Sequence, residues 1–139
     1  MDDQQTKALI EKHEGRRKKL YRDSLGIETI GVGRNLRRGL TDEEVDYLFE
    51  TDYREAGTIA WAFCGSRCWA KLDEVRQAVV CDMAFNLGTS RLKGFKRFRA
   101  ALVAEDYALA REEMYKSKWY RQTKSRAKRL CSMMETGQW

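Results

Sequence analysis

Proline is absent from this 139-residue sequence, and histidine occurs once, at His13. With nothing to forbid a helix interior, the missing prolines point to a mostly helical chain. Four cysteines sit at 64, 68, 81 and 131, but no further Cys or His pair completes the Cys64/Cys68 spacing into a ligand set. A metal site is therefore not expected. No run approaches the roughly 18 apolar residues of a membrane helix, so stable membrane insertion is not expected either. The opening stretch, Met1–Gly15, has no apolar core of the kind a secretory leader carries. Internal repeats and low-complexity linkers are also missing.

What the chain does have is a globular balance, with 42% hydrophobic and 35% charged residues. At this length one domain can bury a core without staples. Cys81 and Cys131 fall in apolar helical contexts that suit core packing. Reduced thiols are the default, and a Cys64–Cys68 bridge stays open for an oxidising space. The net charge of +6 is unevenly held. Residues 1–70 carry 12 basic and 13 acidic side chains, whereas residues 71–139 carry 15 and 8. Lys116–Arg129 alone holds seven basic residues and no acid. Such asymmetry points to a polyanionic partner, or to a solvated basic helix face.

Helical periodicity runs through most of the sequence. Thr6, Leu9, Ile10 and His13 mark an inner stripe of a first helix. Thr41 and Glu44 have capping-box spacing, and Val45, Leu48, Phe49, Ala56 and Ile59 follow on one side. Leu72, Val75, Val79, Met83 and Leu87 predict a third helix that Gly88 stops. Leu92–Val103 and Glu105–Lys116 read as two more helices, and Ala127, Leu130, Cys131 and Met134 as a last. Leu20–Leu36 breaks the rule: Gly26, Gly31 and Gly33 alternate with Ile27, Thr29, Ile30 and Val32, which predicts short strands and tight turns. The class is α+β, mostly helical. Gly57–Gly65 is the candidate boundary between lobes.

Chemistry concentrates between Glu14 and Gly33. Glu14 ends the first helix, with Gly15 as its cap. Asp23 comes nine residues later, before Gly26, and Thr29 six beyond that. Two carboxylates on separate elements suit the divided acid and base roles of glycoside hydrolysis, with a hydroxyl to hold water. From the residues alone, a helix-end acid and a turn former remain the simpler reading. Gly31-Val32-Gly33 matches no phosphate-binding fingerprint, and Asp23–Thr29 lacks the ligand spacing of a calcium loop. His13, without a partnered nucleophile, reads as a packed histidine.

Glu14-Gly15, Tyr21-Arg22-Asp23, Gly26 and Thr29-Ile30-Gly31-Val32-Gly33 resemble the catalytic segment of the phage-type lysozymes, glycoside hydrolase family 24, best known from the T-even phages. Arg76-Gln77-Ala78, Phe85-Asn86-Leu87-Gly88, Gly94-Phe95, Trp119-Tyr120-Arg121-Gln122-Thr123 and Ser125-Arg126-Ala127 extend the resemblance across residues 9–139. It implies a lysozyme-like two-lobed fold in one domain over residues 1–139. A small β-hairpin lobe would cover residues 15–60, and a helical lobe residues 61–139 together with the N-terminal helix.

The resemblance also implies roles. Glu14 would be the general acid, Asp23 the carboxylate that activates or orients water, and Thr29 a residue that positions it. Arg126 would contact Glu14 and favour its ionised form. Gly33, Phe85, Asn86 and Arg126 would face substrate. The implied enzyme is a lysozyme, or endolysin, acting on the bond between N-acetylmuramic acid and N-acetylglucosamine in peptidoglycan, without cofactor or metal. It would be a monomer, made in the host cytoplasm and released to the wall, with a holin-type pore as a candidate partner. Two departures bear on substrate detail. The segment between Gly33 and Thr41 is shorter than in the T-even enzyme, and Arg34 stands where that enzyme has a histidine. Trp119 and Tyr120 read as core. The competing readings are a basic nucleic-acid-binding helical module, which leaves Glu14, Asp23 and Thr29 unexplained, and a wall-binding homologue without activity.

Overall fold

A computed structural model describes residues 1–139. Helix α1 spans Asp3–Glu14, and strands β1, β2 and β3 span Arg17–Arg22, Glu28–Gly31 and Arg34–Asn35. A 3-10 turn at Leu36–Arg38 leads to α2, Asp42–Cys64. Then come α3 (Ser66–Lys71), α4 (Glu74–Leu92), α5 (Lys96–Val103), α6 (Tyr107–Tyr115), α7 (Lys118–Thr123) and α8 (Ser125–Thr136). The mostly helical α+β class is as expected, with one three-stranded antiparallel sheet in the order β1-β2-β3. The chain forms two compact units, Met1–Tyr47 and Leu48–Trp139.

Local chemistry explains the first unit. The Asp2 side chain accepts from Gln5 N at 3.0 Å and starts α1, and Gly15, at φ 79°, ends it. In the hairpin, Tyr21 pairs with Thr29 and Arg22 with Glu28, while Thr29 pairs on its other side with Asn35. Thr29 thus sits in the middle strand, and it is the only buried residue in this unit. The capping box is present: Thr41 N donates to Glu44 Oε2 at 2.9 Å, and Glu44 N to Thr41 Oγ1 at 3.2 Å.

The core lies in the second unit. Val75, Val79, Met83 and Leu87 recur along α4 and are all buried, so the periodicity there reads true. Helical geometry breaks at Gly88 (φ 71°, ψ 177°), as expected, although a further turn carries the element to Leu92. Phe98 is the largest fully buried side chain, stacked on Phe63 and edge-on to Phe95. Phe95 also meets Trp119 edge-on, and Trp119 is buried as expected. Arg76 joins the start of α4 to the end of α8: its Nε donates to Met134 O at 2.8 Å and Nη2 to Glu135 O at 2.9 Å. A cation on the last carbonyls of a helix satisfies orphan acceptors and opposes the negative dipole end.

Several expectations fail. His13 is exposed, and α1 buries no residue, although Thr6, Leu9, Ile10 and His13 share one face of the helix by their spacing. Val45, Leu48 and Phe49 are exposed on α2, which buries only Ala56, Ala60 and Cys64. That helix passes unbroken through Gly57. Lys93, Gly94 and Phe95 delay α5 until Lys96. Cys131 is buried, but Cys81 is only partly so.

Candidate active site

Glu14, Asp23, Thr29 and Gly33 all belong to the first unit, and each is held by a different local device. Glu14 is the last residue of α1 and is exposed. Its side chain runs along the backbone of Gly33: a Cβ built on that glycine would lie 2.5 Å from Oε2 and 2.9 Å from Cδ of Glu14. Gly33 has φ 62°, in the tight turn between β2 and β3, so both backbone and space require glycine there. The structure thus places Gly33, expected to face substrate, against the carboxyl of Glu14.

Asp23 organises the turn between β1 and β2. Its Oδ1 accepts from Leu25 N at 2.8 Å and from Ile27 N at 2.9 Å, while its backbone N–H donates to Ile27 O at 3.0 Å. Gly26 N closes the turn on Asp23 O at 2.9 Å, with Gly26 at φ 75°. Both bonds accepted by the carboxylate fall on Oδ1, which leaves Oδ2 able to take a proton from water. Thr29 Oγ1 donates to Ile27 O at 2.8 Å. Its one proton is committed, so toward a water it can only accept.

An ion pair braces the same unit. Arg34 Nη1 and Nη2 each lie 2.5 Å from one oxygen of the Glu44 carboxylate, and Nη2 also donates to Gly39 O at 3.3 Å. Hydrogen bonding from Arg34, then from the Thr41 N–H, holds the Glu44 carboxyl down to about 2. Arg34, the residue that departs from the family pattern, therefore finds its partner ten positions along its own chain.

The other expected residues belong to the second unit. Asp82, Phe85 and Asn86 share one face of α4 through i, i+3, i+4 spacing. Asn86 Oδ1 accepts from Trp119 Nε1 at 2.9 Å, and its amide N–H groups remain free for a ligand. Phe85 is exposed and meets Phe49 edge-on. Arg126 Nε donates to Asp82 Oδ1 at 2.7 Å. Phe85, Arg126 and Asp82 border one cavity of about 650 Å³, with Phe49, Tyr53, Trp69 and Trp139 as aromatic lining. Sequence reading missed Asp82 and Trp119 as supports; the α4 face that Asp82 shares with Phe85 and Asn86 is its only local signal. Burial pushes the Cys64 thiol up to about 12 and Cys131 to about 11, which makes both poor nucleophiles. His, Cys, Asp and Glu side chains form no cluster able to hold a metal ion.

The family described as "Phage lysozyme" matches residues 11–134. The chain is 26% identical over 159 residues to "Probable T4-type lysozyme 1" of Dictyostelium discoideum, covering 94% of each chain. "Probable T4-type lysozyme 2" of the same organism is 25% identical, again over 94% of each. The "Pre-baseplate central spike protein Gp5" of Enterobacteria phage T4 is 26% identical over 93% of this chain but only 27% of its own length. By its sequence, this chain belongs to the phage lysozyme family and is a glycoside hydrolase of the lysozyme type.

Proposed function

We propose that the protein hydrolyses the β-1,4 bond between N-acetylmuramic acid and N-acetylglucosamine in bacterial peptidoglycan, with inversion, and so lyses the wall. The observation that carries this reading is the Asp23 carboxylate, pinned through Oδ1 and free at Oδ2, on a hairpin whose next strand holds Thr29. Glu14, exposed at its helix end, donates a proton to the glycosidic oxygen as the bond breaks. Thr29 accepts one proton of the attacking water in a hydrogen bond. Oδ2 of Asp23 takes the other as the water adds to the anomeric carbon, and steadies the oxocarbenium-like transition state. The reaction needs no cofactor.

Peptidoglycan carries peptide carboxylates and, in many walls, anionic polymers, so the net positive charge of residues 71–139 concentrates the enzyme on its substrate. Arg126, Asn86 and Phe85 present a cation, an amide and an apolar ring suited to that polymer. The protein acts as a monomer, made in the cytoplasm and released to the wall through a holin-type pore. The test is incubation with purified peptidoglycan and identification of the new sugar ends. The wild type should release N-acetylmuramic acid reducing ends, and Glu14→Gln, unable to donate a proton, should lose about 10²–10⁴-fold. More than about a tenth of the activity left in Glu14→Gln would remove Glu14 from the acid role.

A further inference from the structure

The second unit has an open groove of about 530 Å³ bordered by α2 and the α4–α5 corner, and none of the residues that line it has been given a catalytic part above. Ile59, Ala62 and Phe63 from α2 and Leu92 from α4 make it apolar. Lys93, Lys96 and Arg99 stand at its border. Arg99 is fixed, its Nε donating to Phe63 O at 2.7 Å. Lys93 and Lys96 are exposed and join no ion pair. The chain carries no acid between Asp82 and Glu105, yet holds Arg91, Lys93, Lys96, Arg97 and Arg99 in that interval.

These features set two demands on an occupant. Uncompensated cations call for phosphates or carboxylates at close spacing. An apolar floor calls for hydrocarbon, which a wall polysaccharide or a nucleic-acid backbone does not supply. An anionic lipid meets both. Its headgroup phosphate would lie between Lys93 and Lys96, and its acyl chain along Ile59, Ala62 and Phe63. No helix is long and apolar enough to cross a membrane, so such contact would be peripheral.

We propose that this groove docks the protein on an anionic lipid surface. The proposal does not depend on the roles of Glu14, Asp23 and Thr29, and its test reads binding alone. The protein is floated with vesicles of phosphatidylcholine alone and with a third of the lipid replaced by phosphatidylglycerol. Binding should require phosphatidylglycerol. Each lysine near such a surface contributes roughly fivefold, so the double variant Lys93→Gln/Lys96→Gln should bind at least about tenfold more weakly. Ala62→Gln keeps the charge and the helix but sets an amide in the apolar floor at an exposed position. It should weaken vesicle binding severalfold while leaving both its unfolding temperature and its binding to soluble long-chain polyphosphate unchanged. Equal binding to both vesicle types would overturn the proposal. So would an Ala62→Gln protein that binds vesicles like the wild type while the lysine variant loses vesicles and polyphosphate alike, since the patch would then read any polyanion.

Discussion

The Glu14 carboxyl occupies the space that a side chain on Gly33 would need, with Oε2 2.5 Å from the position of its missing Cβ. Gly31, two residues earlier, has a similar φ of 70° but open space around its own missing Cβ. The two glycines therefore separate backbone strain from displacement of the acid. Alanine at either site is strained by roughly 1–2 kcal/mol. Gly33→Ala must also push Glu14 aside. Both variants should unfold at similarly lowered temperatures. Only Gly33→Ala should lose at least about tenfold in activity on purified peptidoglycan, since misplacing a catalytic group by about 1 Å can cost 10²-fold. Equal activity losses in the two would show that strain alone matters.

In the proposed mechanism Asp23 has a structural oxygen, Oδ1, and a chemical one, Oδ2. Asp23→Asn keeps an acceptor at Oδ1 for the Leu25 and Ile27 N–H groups, so the hairpin should hold and the unfolding temperature should barely change. The base is lost, and activity should fall about 10²–10⁴-fold. Asp23→Ala leaves both N–H groups without their acceptor, and should add a stability loss of about 1–2 kcal/mol to the same activity loss. Thermal unfolding beside wall-digestion rates checks both. An active Asp23→Asn protein would reduce the chemistry to one acid.

How much of this was legible in the sequence differs from residue to residue. In α4, Val75, Val79, Met83 and Leu87 mark the inward face because a core helix must bury a continuous stripe. The Thr41–Glu44 box was readable because its partners are three residues apart. Helix α7 fell between the helix read over Glu105–Lys116 and the last one marked by Ala127, and its break from α8 lies at Lys124, at φ 47°, where no local rule assigns a lysine. Glu14, Asp23 and Thr29 were ambiguous by residue type and gained meaning only from intervals shared with the phage-type lysozymes. The supports were hidden for another reason. Arg126 meets Asp82 across 44 positions and Trp119 meets Asn86 across 33, and local periodicity carries no information about such partners.

The Arg34–Glu44 pair sets a pH dependence. Glu44 is held at about 2, first by hydrogen bonding from Arg34 and then from the Thr41 N–H. A carboxyl whose folded value lies below its unfolded value stabilises the fold above the unfolded value, and this is lost as pH falls through the folded one. The contribution should be full above about pH 4.5 and gone near pH 2. Glu44→Gln should therefore unfold at a lower temperature than the wild type at pH 6, with the gap closing between pH 4.5 and pH 2. A gap that stayed constant down to pH 2 would mean that the pair contributes no charge-dependent stability.

The stereochemical outcome depends on whether Asp23 reaches the sugar itself. Direct attack retains the anomeric configuration and requires carboxyl groups about 5–5.5 Å apart, whereas attack by an interposed water inverts it and needs roughly 6.5–9.5 Å. Two local facts favour the water. Oδ1 of Asp23 is tied into its turn by two N–H groups, which restrains the carboxylate from advancing on the anomeric carbon. The Thr29 hydroxyl, with its proton committed to Ile27 O, offers only lone pairs, and so orients a water through that water's own O–H. A water held there gives up its second proton to Oδ2 of Asp23 as its oxygen bonds to carbon. The first product from the β-linked polymer should then be the α-anomer. Proton NMR of a fresh digest, read before mutarotation, should show the α signal rising first; a β signal rising first would assign Asp23 as the nucleophile.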